Sequence, residues 1–266
     1  MRTLVEVVAR RGPGGRTVLP VMRASGQLAV RRTGAASVHL VATAFGPLGG
    51  DDAEIRLVVE EGARLSVHTV AAAVVLPQRG ASPPSRQAVR AEVAGTLDVA
   101  PEPTVVTARA AHEADLLVQL GPDGALTATE QVLLGRAGEQ PGRWTGTARV
   151  ERDGRPLLHT AVSLGPGAPA WLPPVAPRAY VSTLRLGGDA PAGVGTADDA
   201  VRLPLPGGWV ATAWGAELPE AVARLAAVTA PPTSRWPWRG DAGPTVDGAL
   251  PPDRSAGWAS CLRANR

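Results

Sequence analysis

The sequence contains no lysine, one cysteine, one tyrosine and one phenylalanine among its 266 residues. The single cysteine, Cys261, excludes a framework of intrachain disulfides and fits a reducing compartment. No apolar run approaches the roughly 18 uninterrupted residues of a membrane-spanning helix, and the apolar run at the N-terminus is too short and too broken for a signal peptide. We therefore expect a cytoplasmic protein with no membrane partner.

The absence of lysine also changes how the charge is interpreted. All 27 basic residues are arginines, and 24 acidic residues balance them to a net charge of +3. No run of arginines interleaved with aromatic residues occurs, and no nucleic-acid-binding motif is present. The sequence therefore does not predict a nucleic-acid partner.

The residues that are present favour strands. The chain is 44% hydrophobic, enough to bury a core, and up to residue 165 its apolar residues alternate with polar ones, which is the pattern of strands with one buried face. Ile55, Leu57 and Val59 alternate before a turn at Glu61-Gly62, and the alternation resumes at residue 65. Similar units surround Gly95 and Gly124, and Asp153-Gly154 suits a tight hairpin turn. We predict a mainly β fold of stacked or sandwiched antiparallel sheets, with β-helix-like layers.

Helical periodicity appears near the C-terminus, in the segment ELPEAVARLAAVTA. There Val222, Leu225, Ala226 and Thr229 share one face, which predicts one or two short helices packed on the β body. Residues 231–266 are rich in proline and lack periodicity. We therefore predict one β-rich domain over 1–230 and a partly disordered tail over 231–266, in which three tryptophans can dock on the body or on a partner: Trp236, Trp238 and Trp258.

Several catalytic and ligand-binding motifs are missing. The turn GPLGGDD, residues 46–52, has acids where a phosphate-binding loop requires lysine and a hydroxyl residue. No G-x-S-x-G elbow and no H-E-x-x-H zinc motif occurs. The four histidines are more than four residues apart, so no local metal site is visible, although convergence in space stays open. They are His39, His68, His112 and His159.

Three loops carry acidic residues with two interpretations each. Asp51 and Asp52 follow two glycines, where an acid can cap a turn or meet a partner or a hard cation. Glu102 lies between two prolines, in a rigid corner that can present the acid or only turn the chain. Glu139 lies with Arg136 in a glycine-rich loop of a kind that often carries function but also merely connects strands.

Taken in order, five segments resemble the urease accessory protein D family, also called H. They are GPLGGD, GARLSVHTVAAAVV, GTLDVAPEPTVV, LLGRAGE and RVERDGRPLL, and together they cover roughly residues 40–160. Each motif alone is weak, but five in the same order are fairly specific. The chain departs from the family where it has His68-Thr69 and VAAAVV, because many members have two threonines followed by a lysine and an aromatic residue.

The resemblance implies a non-enzymatic, β-rich scaffold without a tightly bound cofactor. In that family the scaffold joins the urease accessory proteins F and G, the latter a GTPase, and docks on apo-urease so that nickel passes in transit to the buried site. By resemblance, four oxygen-bearing residues line a nickel path or an interface: Asp51, Thr69, Glu102 and Glu139.

Two other functions stay open at this point. A β-sandwich module that binds sugar or peptide would show an exposed strip of tryptophans, for which Trp171, Trp209 and Trp214 are the candidates. A hydrolase on a β scaffold would need acids or histidines that converge in a pocket.

Overall fold

A computed structural model of the protein describes residues 1–80, 82–169, 177–188 and 193–230. These residues form two β-sheets and one α-helix near the C-terminus, which confirms the mainly β prediction. The tail at 231–266 lies outside the described residues, as do its three tryptophans. The domain boundary after residue 230 stays a prediction.

The described strands are mostly 5 to 10 residues long. In chain order they are β1 (Arg2–Arg11), β2 (Thr17–Ser25), β3 (Leu28–Arg32), β4 (Ser37–Ala42), β5 (Asp52–Val59), β6 (Arg64–Thr69), β7 (Ala73–Val75), β8 (Ser85–Val93), β9 (Thr96–Ala100), β10 (Thr104–Val106), β11 (Ala111–Leu120), β12 (Ala125–Leu134), β13 (Arg143–Arg152), β14 (Arg155–Leu164), β15 (Ala179–Leu186), β16 (Gly195–Ala197), β17 (Ala200–Leu205) and β18 (Gly208–Gly215).

The strands are divided between two sheets that pack face to face. Across the first sheet the described strands run in the order β14-β13-β11-β8-β5-β1-β2. Across the second they run in the order β16-β17-β18-β15-β12-β9-β6-β4-β3, and β10 pairs with both β12 and β7. Buried apolar residues from both sheets pack together in two clusters, one that includes Val7, Leu57, Leu65 and Leu97 and one around Trp144 and Tyr180.

The prediction of antiparallel sheets is wrong for the centre of the fold. Strands β5, β8, β11 and β13 of the first sheet pair in parallel, and so do β6, β9 and β12 of the second. The three predicted strand-turn-strand units with turns at Gly62, Gly95 and Gly124 are arches, each with its first strand in one sheet and its second in the other, and the arches stack as β-helix-like layers. Alternation reveals which face of a strand is buried but not the direction of its neighbour, so the pattern could not distinguish an arch from a hairpin.

Stacking of the arches explains two glycines at their turns. A Cβ atom on Gly95 would lie 2.2 Å from the Ala63 carbonyl oxygen in the preceding arch. A Cβ atom on Gly124 would lie 2.2 Å from the Val93 carbonyl oxygen. The predicted turn at Asp153-Gly154 is a true hairpin between β13 and β14, with positive φ at both residues (50° and 72°), as a tight turn of this type requires.

Helix α1 (Leu218–Thr229) covers the outer face of the second sheet near β15, β17 and β18. Its buried residues are Ala221, Leu225 and Val228. The predicted apolar face is therefore wrong except at Leu225, and Val222 is exposed. Alanines on most sides of the helix made several faces look equally apolar.

The tryptophan strip proposed for a ligand-binding module does not form. Trp209 is buried under α1, whereas Trp214 points to the opposite face of β18 and its ring lies 4.7 Å from that of Tyr180. Trp171 lies outside the described residues. Two of the three candidate side chains therefore belong to the packing of the fold.

Candidate functional site

A cavity of about 230 Å³ lies between the two sheets at the end opposite the arch turns, where β5 and β8 begin and β6 and β9 end. Strands β5 and β8 form its wall on the first sheet, and β4, β6 and β9 form its wall on the second. Most of the lining is apolar, with Leu40, Ile55 and Val67 among it. Its polar lining residues are few: Thr3, Gln27, Asp51, His68, Thr69, Arg86 and Gln87.

Asp51 lies at this cavity and is only 8% exposed. Its Oδ1 is paired with the Met1 amino group, and its Oδ2 accepts hydrogen bonds from Gln27 Nε2 at 2.8 Å and from the Leu48 N–H at 2.9 Å. Burial opposes the charge of Asp51, but these hydrogen bonds outweigh it and lower the pKa of its carboxyl. Asp51 therefore closes the turn over 48–51, and Asp52 begins β5 beside it.

Thr69 and Glu102 are brought together by the stacking of two arches. Thr69 ends β6 and lines the cavity, and its Oγ1 accepts a hydrogen bond of 2.8 Å from the Glu102 N–H. The same hydroxyl donates to the Ala71 carbonyl oxygen at 3.3 Å. Glu102 is exposed. Three of the sequence-predicted residues thus lie at or beside one cavity.

Glu139 belongs to a different part of the molecule, the loop between β12 and β13. Its carboxylate accepts hydrogen bonds of 3.0 Å from Arg136 Nε and from the Arg136 N–H, and these lower its pKa to about 2. The guanidinium of Arg178 fixes the loop through the carbonyl oxygens of Gly135 and Arg136, at 3.0 and 2.9 Å. Glu139 does not line the cavity that Asp51 and Thr69 share.

The sequence interpretation missed Arg86 and Gln27, which line the cavity with Asp51. Arg86 Nε donates to Asp115 Oδ2 at 3.0 Å, while Gln27 reaches Asp51 with its side chain and Thr3 Oγ1 with its backbone N–H at 3.0 Å. Each is a single polar residue in or beside an alternating strand. No local motif marks such residues, because their partners are more than 20 positions away.

A second missed residue is Glu130, on the inner face of β12. Its neighbours on that face, Ala128 and Val132, are buried. Glu130 itself is half-buried, and its carboxyl lies deep enough that burial raises its pKa to about 8. A protonated carboxyl group between two sheets is a hydrogen-bond donor at neutral pH.

A buried serine–histidine pair bears on the hydrolase alternative, because a hydrolase would need such residues to face a pocket. Ser85 Oγ lies 2.8 Å from His112 Nδ1, and burial lowers the pKa of His112 to about 4. Ser85 is fully buried, however, and also lies within hydrogen-bonding distance of the Ala111 carbonyl oxygen at 3.3 Å. The pair therefore satisfies buried polar groups and does not present a nucleophile to a pocket.

Two further features of the described residues concern metal binding and membrane crossing. Within the part of the chain that the structure describes, no three His, Cys, Asp or Glu side chains gather as a metal-binding group. The one helix described has 12 residues, fewer than the ~20 that a membrane crossing requires.

Comparison with known proteins agrees with the resemblance seen in the sequence. The family model described as UreD urease accessory protein matches residues 3–239. The urease accessory protein UreD of Frankia alni is 34% identical over an alignment of 281 residues. The alignment covers 87% of this chain and 93% of that protein. The UreD of Streptomyces coelicolor is 39% identical over 175 residues, covering 64% of this chain and 68% of that protein.

Proposed function

Since this chain belongs to the UreD urease accessory protein family, we propose that it is a non-enzymatic scaffold for urease maturation. In this proposal the chain acts in the cytoplasm, docks on apo-urease and couples it to the accessory proteins F and G, the latter a GTPase. Nickel is the cargo of the complex and passes in transit. Residues 1–230 act as one domain.

The observation that best supports docking is an apolar rim at the inter-sheet cavity. We define this rim as Phe45, Val70 and Val74, which are 91%, 60% and 36% exposed. Ala44, Gly46, Val70 and Ala73 line the cavity, so the rim residues lie in or directly beside its wall. A fully exposed phenylalanine, the only one in the chain, is costly in water and is typical of a protein interface.

The oxygen-bearing residues at this cavity suit an ion in transit. Hydroxyl and carboxylate oxygens with few imidazole or thiolate groups bind nickel weakly enough to release it. Thr69 and the exposed Glu102 offer such oxygens, while Asp51 is already engaged by three donors and instead shapes the cavity. Glu139 lies on another loop and is proposed as an interface residue.

The test is co-expression of the tagged chain with the urease subunits and the accessory proteins F and G from the same source, followed by capture and a nickel-dependent urease assay. We expect capture of F and of urease, and loss of activation when this chain is omitted. A soluble chain that captures neither, with urease active in its absence, would refute the proposal.

Matched variants locate the docking surface and the path. Phe45→Asp is expected to abolish capture of one partner, whereas Leu203→Asp, at a residue 47% exposed on β17, should leave it intact. Glu102→Ala and Thr69→Val should lower activation without loss of capture.

Asp51→Asn is preferred to Asp51→Ala, because the alanine would leave buried donors unpaired at a cost of about 1–3 kcal/mol. Normal activation by Phe45→Asp, Glu102→Ala, Thr69→Val and Asp51→Asn would count against the assignment.

A further inference from the structure

Two histidines that are far apart in the sequence meet on the outer face of the second sheet. His39 in β4 and His68 in β6 are directly paired residues of parallel neighbouring strands. Val38, Leu40 and Val67, which alternate with them, point into the core, so both imidazoles lie on the opposite, outward face of the sheet, although the end of β6 that carries His68 also borders the inter-sheet cavity. Their ring centroids are 5.2 Å apart, and both residues are half-buried.

In both rings, Nδ1 is the nitrogen that takes part in a hydrogen bond. His68 Nδ1 lies 3.2 Å from the Ala100 carbonyl oxygen, which can only accept a hydrogen bond. The neutral ring therefore carries its proton on Nδ1 and keeps a lone pair on Nε2. His39 Nδ1 lies 2.8 Å from Thr33 Oγ1, which can accept the equivalent hydrogen bond. Metal-binding histidines typically have this arrangement, because the partner of one nitrogen fixes the other as the ligand.

The spacing of the rings also suits a shared ion. An ion about 2.1 Å from both Nε2 atoms would hold the two ring centroids on the order of 5 Å apart. We propose that His39 and His68 form a two-histidine site for a borderline divalent transition-metal ion, namely Cu²⁺, Ni²⁺ or Zn²⁺. Imidazole suits these ions, whereas Mg²⁺ and Ca²⁺ prefer oxygen ligands.

The residues around the two histidines would allow a bound ion to exchange. Arg31 is the neighbour of His39 on β3, and its Nη1 donates to the Val30 carbonyl oxygen at 3.2 Å. Asp98 on β9 pairs with Ser66, two residues before His68, on the same outward face. No third ligand joins the two histidines among the described residues. Water or a partner protein must complete the coordination, so the ion can leave readily.

The experiment measures metal binding by the full chain without a polyhistidine tag, using copper, nickel or zinc chloride in calorimetric titrations. We expect one ion per chain, with copper bound more tightly than nickel and no competition from magnesium. His39→Ala and His68→Ala should each weaken binding by more than the roughly 10–100-fold typical for loss of a group that only orients a ligand. The double variant should show no site.

The control is His159→Ala, which removes an exposed histidine from β14 in the other sheet and should leave the affinity unchanged. Thr33→Val tests the orienting hydrogen bond and should weaken binding by about 10-fold or more while the histidines stay in place. Circular dichroism checks that each variant is folded. The inference is overturned if the wild type binds none of the three ions, or if folded His39→Ala or His68→Ala binds as tightly as wild type. The inference does not rest on the proposed function, because the titrations contain no urease component.

Discussion

At the scale of single residues, the ion pair between Arg136 and Glu139 makes a titration prediction. Arg136 contacts the Glu139 carboxylate with its side chain and its backbone N–H, and the pKa of Glu139 falls from its ordinary 4.5 to about 2. A carboxyl group whose pKa is lower in the folded state stabilises the fold above its unfolded pKa. That contribution is lost as the pH falls from about 4.5 to about 2.

Replacement of the arginine should reverse the shift. In Arg136→Ala the pKa of Glu139 should rise toward its ordinary value, because the charged donor is gone while the backbone N–H remains. A carbon-13 NMR titration of the glutamate carboxyl groups measures this directly. Arg149→Ala removes a different ion pair, with Glu151, and should leave Glu139 unchanged. An ordinary Glu139 pKa in the wild type would contradict the prediction.

At the scale of elements, helix α1 depends on a narrow contact face. Leu225 is buried against the second sheet together with Ala221 and Val228, whereas Val222 is 43% exposed one turn earlier. Leu225→Ala should lower the free energy of unfolding by about 2–3 kcal/mol, because it removes buried methyl groups and leaves a cavity. Val222→Ala should change it by less than about 0.5 kcal/mol. Urea unfolding of the two variants tests the burial pattern, and equal losses would contradict it.

The elements also show how far the sequence could predict the fold. The positions of β5, β6 and α1 and the hairpin at Asp153-Gly154 follow from alternation, periodicity and turn chemistry, and the structure confirms them. The assignment of each strand to one of the two sheets does not follow from these signals. The two strands of an arch join different sheets, and pairing between arches depends on contacts between residues about 30 positions apart.

The same limit applies to the candidate site. Asp51 and Thr69 fall in family-like motifs, which is why the sequence indicates them, and in the structure they share a cavity. The partners of these residues could not be read from the sequence. Gln27 is 24 positions from Asp51, and Glu102 is 33 positions from Thr69, so neither bond leaves a local pattern. The pairing of His39 with His68 has the same origin, since only the stacking of strands aligns them.

At the scale of the whole molecule, closure of the two sheets creates an unfavourable site for charge. Glu130 lies on the inner face of β12, where its cross-strand neighbour on β15 is Ser182, and burial raises the pKa of its carboxyl to about 8. The carboxyl is protonated in the folded chain at neutral pH, whereas an unfolded glutamate ionises near pH 4.5. The folded state therefore binds the additional proton between these two values.

This difference fixes the direction of the pH dependence. Glu130 makes the fold progressively less stable as the pH rises from about 4.5 to about 8. Glu130→Gln cannot ionise, so at pH 9 it should be more stable than wild type by at least about 1 kcal/mol, with a smaller difference at pH 5. His112, whose lowered pKa of about 4 destabilises the fold only on the acid side, is common to both proteins and cancels in the comparison. Denaturant unfolding at pH 5, 7 and 9 measures the difference, with Glu113→Gln, at an exposed position on β11, as control. A difference between Glu130→Gln and wild type that does not change with pH would mean that the Glu130 carboxyl is solvated, and that closure of the sheets does not isolate it from water.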